Sequence, residues 1–165
     1  MWTVIDSPVG ELRLIEQHGS LVAIEFSPFR DDSAAGRVRG DRDDRHPVLV
    51  ETATQLTAYF AGQRRDFDLP LAPAGSDFQQ RVWAELRRID YGRTASYGEV
   101  ARRLGLTNAA SRAVGLANGR NPIPIVIPCH RVIGADGTLT GYAGGLPRKR
   151  LLLGLEQPVS QDALF

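Results

Sequence analysis

Between Asn121 and Gly134 the chain reads NPIPIVIPCHRVIG, and no other stretch leaves the backbone so few choices. Three prolines fall within seven residues (Pro122, Pro124, Pro128). Each fixes φ and withholds an amide donor, so the segment is not a central strand. It reads as a stiff, extended connector that sets down Cys129, the single cysteine of the chain, immediately before His130. Such stiffness suits a nucleophile, because reaction geometry tolerates little slack, and a nearby imidazole can lower a thiol's pKa or take its proton. Neighbouring side chains of an extended chain point to opposite faces, so contact between the two needs a turn in the backbone or a water between them. A lone cysteine after an apolar run is also what an inert buried residue looks like. Composition and spacing leave both readings open.

The single cysteine excludes an internal disulfide and a multi-cysteine zinc site. His18, His46 and His130 lack metal-ligand spacing, so no metal is expected. There is no P-loop and no GxGxxG fingerprint, and no cofactor is indicated. The longest apolar run is too short for a bilayer and the N-terminus carries no basic start or apolar signal region; a cytoplasmic protein without membrane contact is expected. The net charge of +1 conceals a division. Residues 1–76 carry 8 Arg against 12 acids, whereas residues 77–156 carry 11 Arg and Lys149 against 6 acids, with Asp162 beyond. A basic half is what meeting a polyanion calls for, although an uneven solvated surface gives the same arithmetic.

The first 26 residues read as a β-meander: WTVID, then ELRLIEQ, then LVAIEFS after a turn at His18-Gly19. In the middle segment Leu12 and Leu14 face one way and Glu11, Arg13 and Glu16 punctuate the other. Residues 30–45 (RDDSAAGRVRGDRDDR) have almost nothing to bury and read as a mobile surface loop. A helix follows from Pro47 to Ala61, with Leu49, Ala53, Leu56 and Phe60 as its apolar stripe and Gly62 as its stop. DFDLP reads as a short strand and PLAPAG, residues 70–75, as a linker, which puts a domain boundary near residue 76.

The second half reads as helical. Ser76 and Gln79 form a capping-box pattern ahead of the stripe Phe78, Val82, Leu86 and Ile89. Ser96 and Glu99 repeat the pattern before Val100, Ala101 and Leu104. A glycine-containing turn then leads to AASRAVGLAN, rich in small residues and carrying one long basic side chain, Arg112. Two short helices joined in this way fit a helix-turn-helix and also fit two closely packed core helices; the basic half around them favours nucleic acid.

FQQRVWAELRRI, GRTASYGEVARRLG, SRAVGLANGRNPIPIVIPCHRVIG and GYAGGLPRKRLLLGLE stand in this order. Together they resemble the O6-alkylguanine-DNA alkyltransferases of bacterial type over residues 77–156, while residues 1–76 fit that family's variable N-terminal domain by pattern. The resemblance implies an α+β two-domain fold: residues 1–76 as an N-terminal domain with an RNase H-like antiparallel sheet and a helix, residues 77–165 as a mostly helical, winged-helix-like domain with the helix-turn-helix and active site. It implies DNA repair by direct reversal, a single-turnover suicide transfer of the alkyl group of O6-alkylguanine, and of O4-alkylthymine, in duplex DNA to the cysteine, with no cofactor and no metal.

By the same resemblance Cys129 is the alkyl acceptor, His130 the base acting through a water, and Glu156 the residue that orients the imidazole. Asn121 braces the turn into the site. Tyr97 contacts the flipped base and gives a proton to the leaving guanine. The carbonyls of Cys129 and Val132 accept from guanine's exocyclic amine, the amide of Ala143 donates to O6 where the family often has serine, and Tyr142, Gly144 and Gly145 form the wall. Arg112 enters the duplex in place of the extruded nucleotide, with Ala110, Ala113, Asn118 and Arg120 on the groove or phosphates. The expected partner is alkylated double-stranded DNA, bound as a monomer or with self-association on DNA. Three rivals remain: a non-catalytic lesion binder, for which the family's relatives have tryptophan in place of Cys129; a cysteine hydrolase; and a DNA-binding regulator with an inert cysteine.

Overall fold

The computed structural model describes residues 1–30 and 40–157. They form two compact units by contact, the first Met1–Ala74 with Pro122–Pro124, the second Gly75–Asn121 with the chain from Ile125 onward.

In the first unit β1 (Trp2–Ile5), β2 (Leu12–Gln17) and β3 (Ser20–Phe26) make an antiparallel sheet in that order. The two residues between β2 and β3, His18 and Gly19, have φ of 52° and 82°, the pair of positive values that a tight two-residue hairpin needs. β2 is central and buried on both faces: Leu12 and Leu14 are fully covered, but so are Arg13 and Glu16, at 4% and 6% exposure. The expected polar face is therefore not a solvent face. Arg13 lies opposite Glu25 in register, donates to it at 2.7 Å, and stacks 4.7 Å from the Phe29 ring centroid. Flat guanidinium faces tolerate such cover because their edges stay hydrogen-bonded.

α1 (Pro47–Phe60) packs against all three strands, with proline in its first turn and the His46 imidazole accepting from the Val48 amide at 3.2 Å. Its buried face is Leu49, Thr52, Gln55, Leu56 and Tyr59, turned away from the expected Leu49-Ala53-Leu56-Phe60 stripe. Gln55 causes the offset. Its amide nitrogen donates to the Asp68 carbonyl at 2.9 Å and its oxygen accepts from the Asp68 amide at 2.9 Å. An inward polar residue with both ends satisfied is invisible to a hydrophobic periodicity. The same grip means that DFDLP is not a strand; sheet-like pairing starts later, where Leu21 donates to Pro70 and accepts from Ala72. Part of the expected linker is thus tied to β3. Of the expected loop 30–45, residues 31–39 lie outside the described residues. Beyond them the chain runs beside β1, with Trp2 bonded to the backbone of Asp41 and Asp43 and Arg42 set 5.5 Å from its ring, so this part is anchored.

The second unit contains α2 (Asp77–Leu86), β4 (Ala95–Ser96), α3 (Tyr97–Arg103), α4 (Ser111–Gly119), β5 (Val132–Ile133) and α5 (Leu146–Glu156). Ser76 and Gln79 form both halves of the capping box at 3.2 and 3.0 Å, and Ser96 caps α3 through the Glu99 amide at 3.1 Å. The buried face of α2 includes Trp83, which the apolar stripe omitted; its indole N–H donates to the Ala117 carbonyl of α4 at 2.9 Å. Gly75 is needed beside it, since a Cβ there would overlap the buried Trp83 ring. α3 and α4 pack together across a turn in which Gly105 has φ 78° and Asn108–Ala110 form a single 3-10 turn. β4 and β5 are parallel, Ala95 beside Val132 and Ser96 beside Ile133. This short pairing sets the start of α3 next to the residues that follow Cys129. Among the described residues no helix is long and apolar enough to cross a membrane.

Candidate active site around Cys129

The approach to Cys129 is not an extended connector. Ile125 turns the chain with φ 73°, a conformation that a β-branched residue holds only when its surroundings enforce it, at a cost of about 1–3 kcal/mol. Asn121 closes the turn by donating from its side-chain amide to the Ile127 carbonyl at 2.8 Å. Pro128 (φ −80°, ψ 64°) then makes an inverse γ-turn, Cys129 amide to Ile127 carbonyl at 2.8 Å, and Cys129–Arg131 wind one 3-10 turn. The backbone turns at the cysteine, which brings His130 into the same site without bonding it to the thiol.

Cys129 is 3% exposed and burial pushes its thiol up to about 11; the Asn121 amide, the Lys149 cation and the Tyr142 hydroxyl favour the thiolate and pull the other way. The resting group is a protonated thiol set among polar neighbours, not a methyl-like filler in hydrocarbon. His130 is fully buried, and burial holds its pKa below the usual histidine value against the opposing pull of Glu156. Its Nε2 lies 2.7 Å from Glu156 Oε2. Arg131 grips the same carboxylate at both oxygens, Nε to Oε1 at 2.7 Å and Nη2 to Oε2 at 3.1 Å, and donates from Nη1 to the Ile89 carbonyl at 2.6 Å. A carboxylate forked by a guanidinium stays an acceptor. The imidazole must therefore carry its proton on Nε2 and keep its lone pair on Nδ1. That Nδ1 atom is buried and has no hydrogen-bond partner in the described protein, so thiol and imidazole are not bonded directly.

Lys149 is buried on α5, its ammonium donating to the carbonyls of Val132 at 2.7 Å and Thr140 at 3.1 Å. Burial lowers its pKa, and the neighbouring thiol opposes that shift. Tyr97, at the first position of α3, shares a 2.5 Å hydrogen bond with the Thr140 hydroxyl. The Tyr142–Gly145 segment closes a turn through the Gly145 amide and Tyr142 carbonyl at 2.9 Å, with Ala143 exposed on it. Cys129, His130, Glu156, Asn121, Tyr142 and Val132 thus come together, with Tyr97 tied to the same loop.

One expectation changes. Asn118, expected on the groove side, is 3% exposed and donates to the Cys129 carbonyl at 3.3 Å, an inward brace. Its amide faces the active-site turn because α4 turns Val114, Ala117 and Asn118 inward together. The Cys129 carbonyl already accepts from both the Asn118 side-chain amide and the Val132 backbone N–H, while the Val132 carbonyl accepts from the Lys149 ammonium. Arg112, Ala113 and Arg120 are exposed and Ala110 is half-buried. Arg131 and Lys149 were missed altogether. Lys149 did leave a trace: it is the sole lysine beside 19 arginines. No group of three or more potential metal ligands occurs among the described residues.

Compared with known families, residues 77–158 match the DNA-binding domain of 6-O-methylguanine DNA methyltransferase, and residues 1–73 match the ribonuclease-like domain of the same proteins. The chain belongs to this family. A 6-O-methylguanine DNA methyltransferase relative in Mycolicibacterium paratuberculosis, named methylated-DNA–protein-cysteine methyltransferase, is 47% identical over 164 residues, covering 99% of this chain and 96% of its own. A relative of the same name in Methanosarcina acetivorans is 45% identical, covering 94% and 97%. The solved O6-methylguanine methyltransferase of Mycobacterium tuberculosis superposes with a TM-score of 0.81 at 45% identity, covering 99% of this chain and 98% of that one. A structure of the M. tuberculosis protein in complex with DNA matches at TM-score 0.80 and 46% identity, covering 94% and 92%. The two-domain α+β architecture is shared with these structures.

Proposed function

We propose that the protein repairs duplex DNA directly, transferring the alkyl group of O6-alkylguanine, and by the same chemistry of O4-alkylthymine, to the sulfur of Cys129. The observation that carries this is the turn Cys129–Arg131: a lone thiol beside a buried imidazole whose Nε2 is committed to Glu156 and whose Nδ1 is unpartnered.

With a resting value near 11 the thiol cannot rely on spontaneous ionisation at neutral pH. Nδ1 takes its proton, through a water or after a small approach, and Glu156 stabilises the imidazolium that forms. The sulfur attacks the alkyl carbon, an S–C bond forms and the C–O6 bond breaks. Tyr97 gives a proton to the leaving guanine and is reprotonated through solvent as the imidazolium gives up the thiol's proton, so the balance is thiol plus O6-alkylguanine to S-alkylcysteine plus guanine. Val132 and Cys129 carbonyls and the Ala143 amide read the base edge, while Lys149 holds the Val132–Thr140 segment and lends its charge to the thiolate. A thioether offers no easy leaving group, so each molecule acts once.

For a base to reach this site it must leave the stack, at a cost of a few kcal/mol. Arg112 on α4 fills the space it leaves, Ala110 and Ala113 let the helix lie close to the minor groove, and Arg120 meets phosphate. α3 and α4 serve as the helix-turn-helix, the split near residue 76 separates a scaffold from the reactive domain, and the cytoplasm is the proposed location. Cys129 argues against a passive lesion binder, and the unpartnered imidazole nitrogen against an inert regulator.

Mass spectrometry after mixing with an O6-methylguanine duplex tests the proposal. One methyl group is expected per molecule, on the peptide holding Cys129. Cys129→Ser should carry none and still bind the duplex. An unmodified Cys129 after exposure to damaged duplex sinks the reading.

A further inference from the structure

α4 shows water one residue that its basic and small neighbours do not explain. Leu116 is 63% exposed, more than Met1, Val50, Leu146 or Leu151, the other exposed large apolar side chains among the described residues. It lies on the same face as Arg112 and Ala113, one turn beyond them, while Val114, Ala117 and Asn118 face inward. Next to it Gly115 brings the helix backbone close to Tyr97, a Cβ there lying 3.6 Å from the ring. Leu116 is thus held at the outer edge of the helix whose adjoining side meets the base-contacting tyrosine.

We propose that Leu116 is a second intruding side chain, an apolar wedge that enters the minor groove beside Arg112 and bears on a base step neighbouring the extruded nucleotide. The inference rests on the reading of α4 as the DNA-facing helix. The spacing suits it: four residues of α-helix advance ~6 Å, close to two steps of a duplex that rises ~3.4 Å per base pair. Leucine is among the side chains that unstack such steps, and the loosened stack makes a neighbouring base cheaper to extrude. Charge points to DNA as the occupant. The leucine is bracketed by exposed Arg112 and Arg120, in a half that carries 11 arginines and one lysine against 6 acids. Arg120 reaches outward to phosphate and Arg112 enters the duplex, while the uncharged side chain between them faces the groove floor.

The test compares single-turnover transfer from an O6-methylguanine duplex with transfer from free O6-benzylguanine, which needs no extrusion. In Leu116→Ala the ratio of duplex rate to free-base rate should fall about tenfold, in keeping with the loss of one leucine's apolar contact, and Leu116→Met should restore most of it. The slope of log affinity against log salt should stay as in the wild type, whereas Arg120→Ala should flatten it by about one. A 2-aminopurine placed beside the lesion should brighten less with Leu116→Ala, reporting a better-stacked step. An unchanged rate ratio overturns the proposal, as does an equal slowing on both substrates, which would mean a disturbed pocket. A change in oligomeric state with unaltered duplex transfer assigns Leu116 to a second copy of the chain and also overturns it. A wild-type protein that reacts with the free base but never with the duplex removes the DNA reading itself.

Discussion

Arg13 in the first unit and Arg131 in the second are both buried, at 4% and 6% exposure, and each meets a glutamate at 2.7 Å. Their surroundings differ. Arg13 spans two strands with its cation over Phe29, and its partner Glu25 keeps 24% of its side chain in solvent. Arg131 forks Glu156, whose side chain is only 2% exposed and whose Oε2 also holds His130. In the first unit a cation is covered by aromatics and paired to a carboxylate that water can still reach. In the second the carboxylate itself is sealed, and the charge pair fixes the tautomer of a third residue. Buried ion pairs are weak evidence for stability, so a fold that keeps one this dry points to what it orients.

Glutamate-to-glutamine substitutions separate the two pairs most widely. Glu156→Gln leaves Arg131 without a counter-charge in the interior, a loss of about 3–5 kcal/mol. It also removes the group that holds the proton on Nε2 of His130, so single-turnover transfer should fall by at least ~100-fold. Glu25→Gln, with about a quarter of its side chain in solvent and an amide oxygen that still accepts from Arg13, should cost no more than ~1 kcal/mol and leave transfer untouched. Urea unfolding and a duplex transfer assay on both variants provide the check. Equal destabilisation would break the distinction between the two glutamates.

A smaller effect follows from the thiol. It titrates near 9.0 when unperturbed and is pushed to about 11 by burial. Between those values the unfolded chain has released the proton and the folded chain has not, so the unfolded state is favoured progressively as pH rises. The stabilisation is complete below about pH 9 and is lost as pH rises toward 11. The displacement from 9.0 to about 11 is worth roughly 2–3 kcal/mol. Since the chain has one cysteine, the difference in alkaline stability between wild type and Cys129→Ser isolates it. Lys149→Met, by removing a cation that favours the thiolate, should move thiol alkylation by iodoacetamide to still higher pH. If Cys129→Ser and wild type lose stability alike above pH 9, the thiol does not sit in the environment described.

Local chemistry in this chain was legible, and convergence was not. Ser76 with Gln79 and the His18-Gly19 turn carry their structure within four residues, and both formed as read. The Cys129–His130 question was legible as a question, because the prolines around it forced a choice between an extended and a turned backbone; Ile125 at φ 73° settled it, and nothing local marks an isoleucine for that conformation. Gln55 went unread and Arg13 was read onto a polar face because polar residues in inward positions break the apolar alternation that periodicity depends on. Arg131 and Lys149 escaped for a different reason. Their value lies in partners 25 and 17 residues away, Glu156 and Val132, and sequence spacing carries no information about which carboxylate or carbonyl a long cation will find.

The smallest expected effect sharpens the same contrast from the cation's side. Arg13→Met keeps a long, flexible side chain against Trp2 and Phe29, where a thioether packs well on aromatic faces. It removes a buried charge whose desolvation cost offset its pairing, and it leaves behind Glu25, which can turn to water. Urea unfolding should place Arg13→Met within ~1 kcal/mol of wild type. The parallel change, Arg131→Met, strands Glu156 in a site 2% exposed and frees it to take a proton, which reverses the donor at His130 Nε2 and moves the imidazole proton to Nδ1, where it can no longer receive one from the thiol. A loss of several kcal/mol from Arg13→Met would mean that the first unit, too, depends on a sealed charge pair, and burial alone would then no longer distinguish a scaffold arginine from a positioning one.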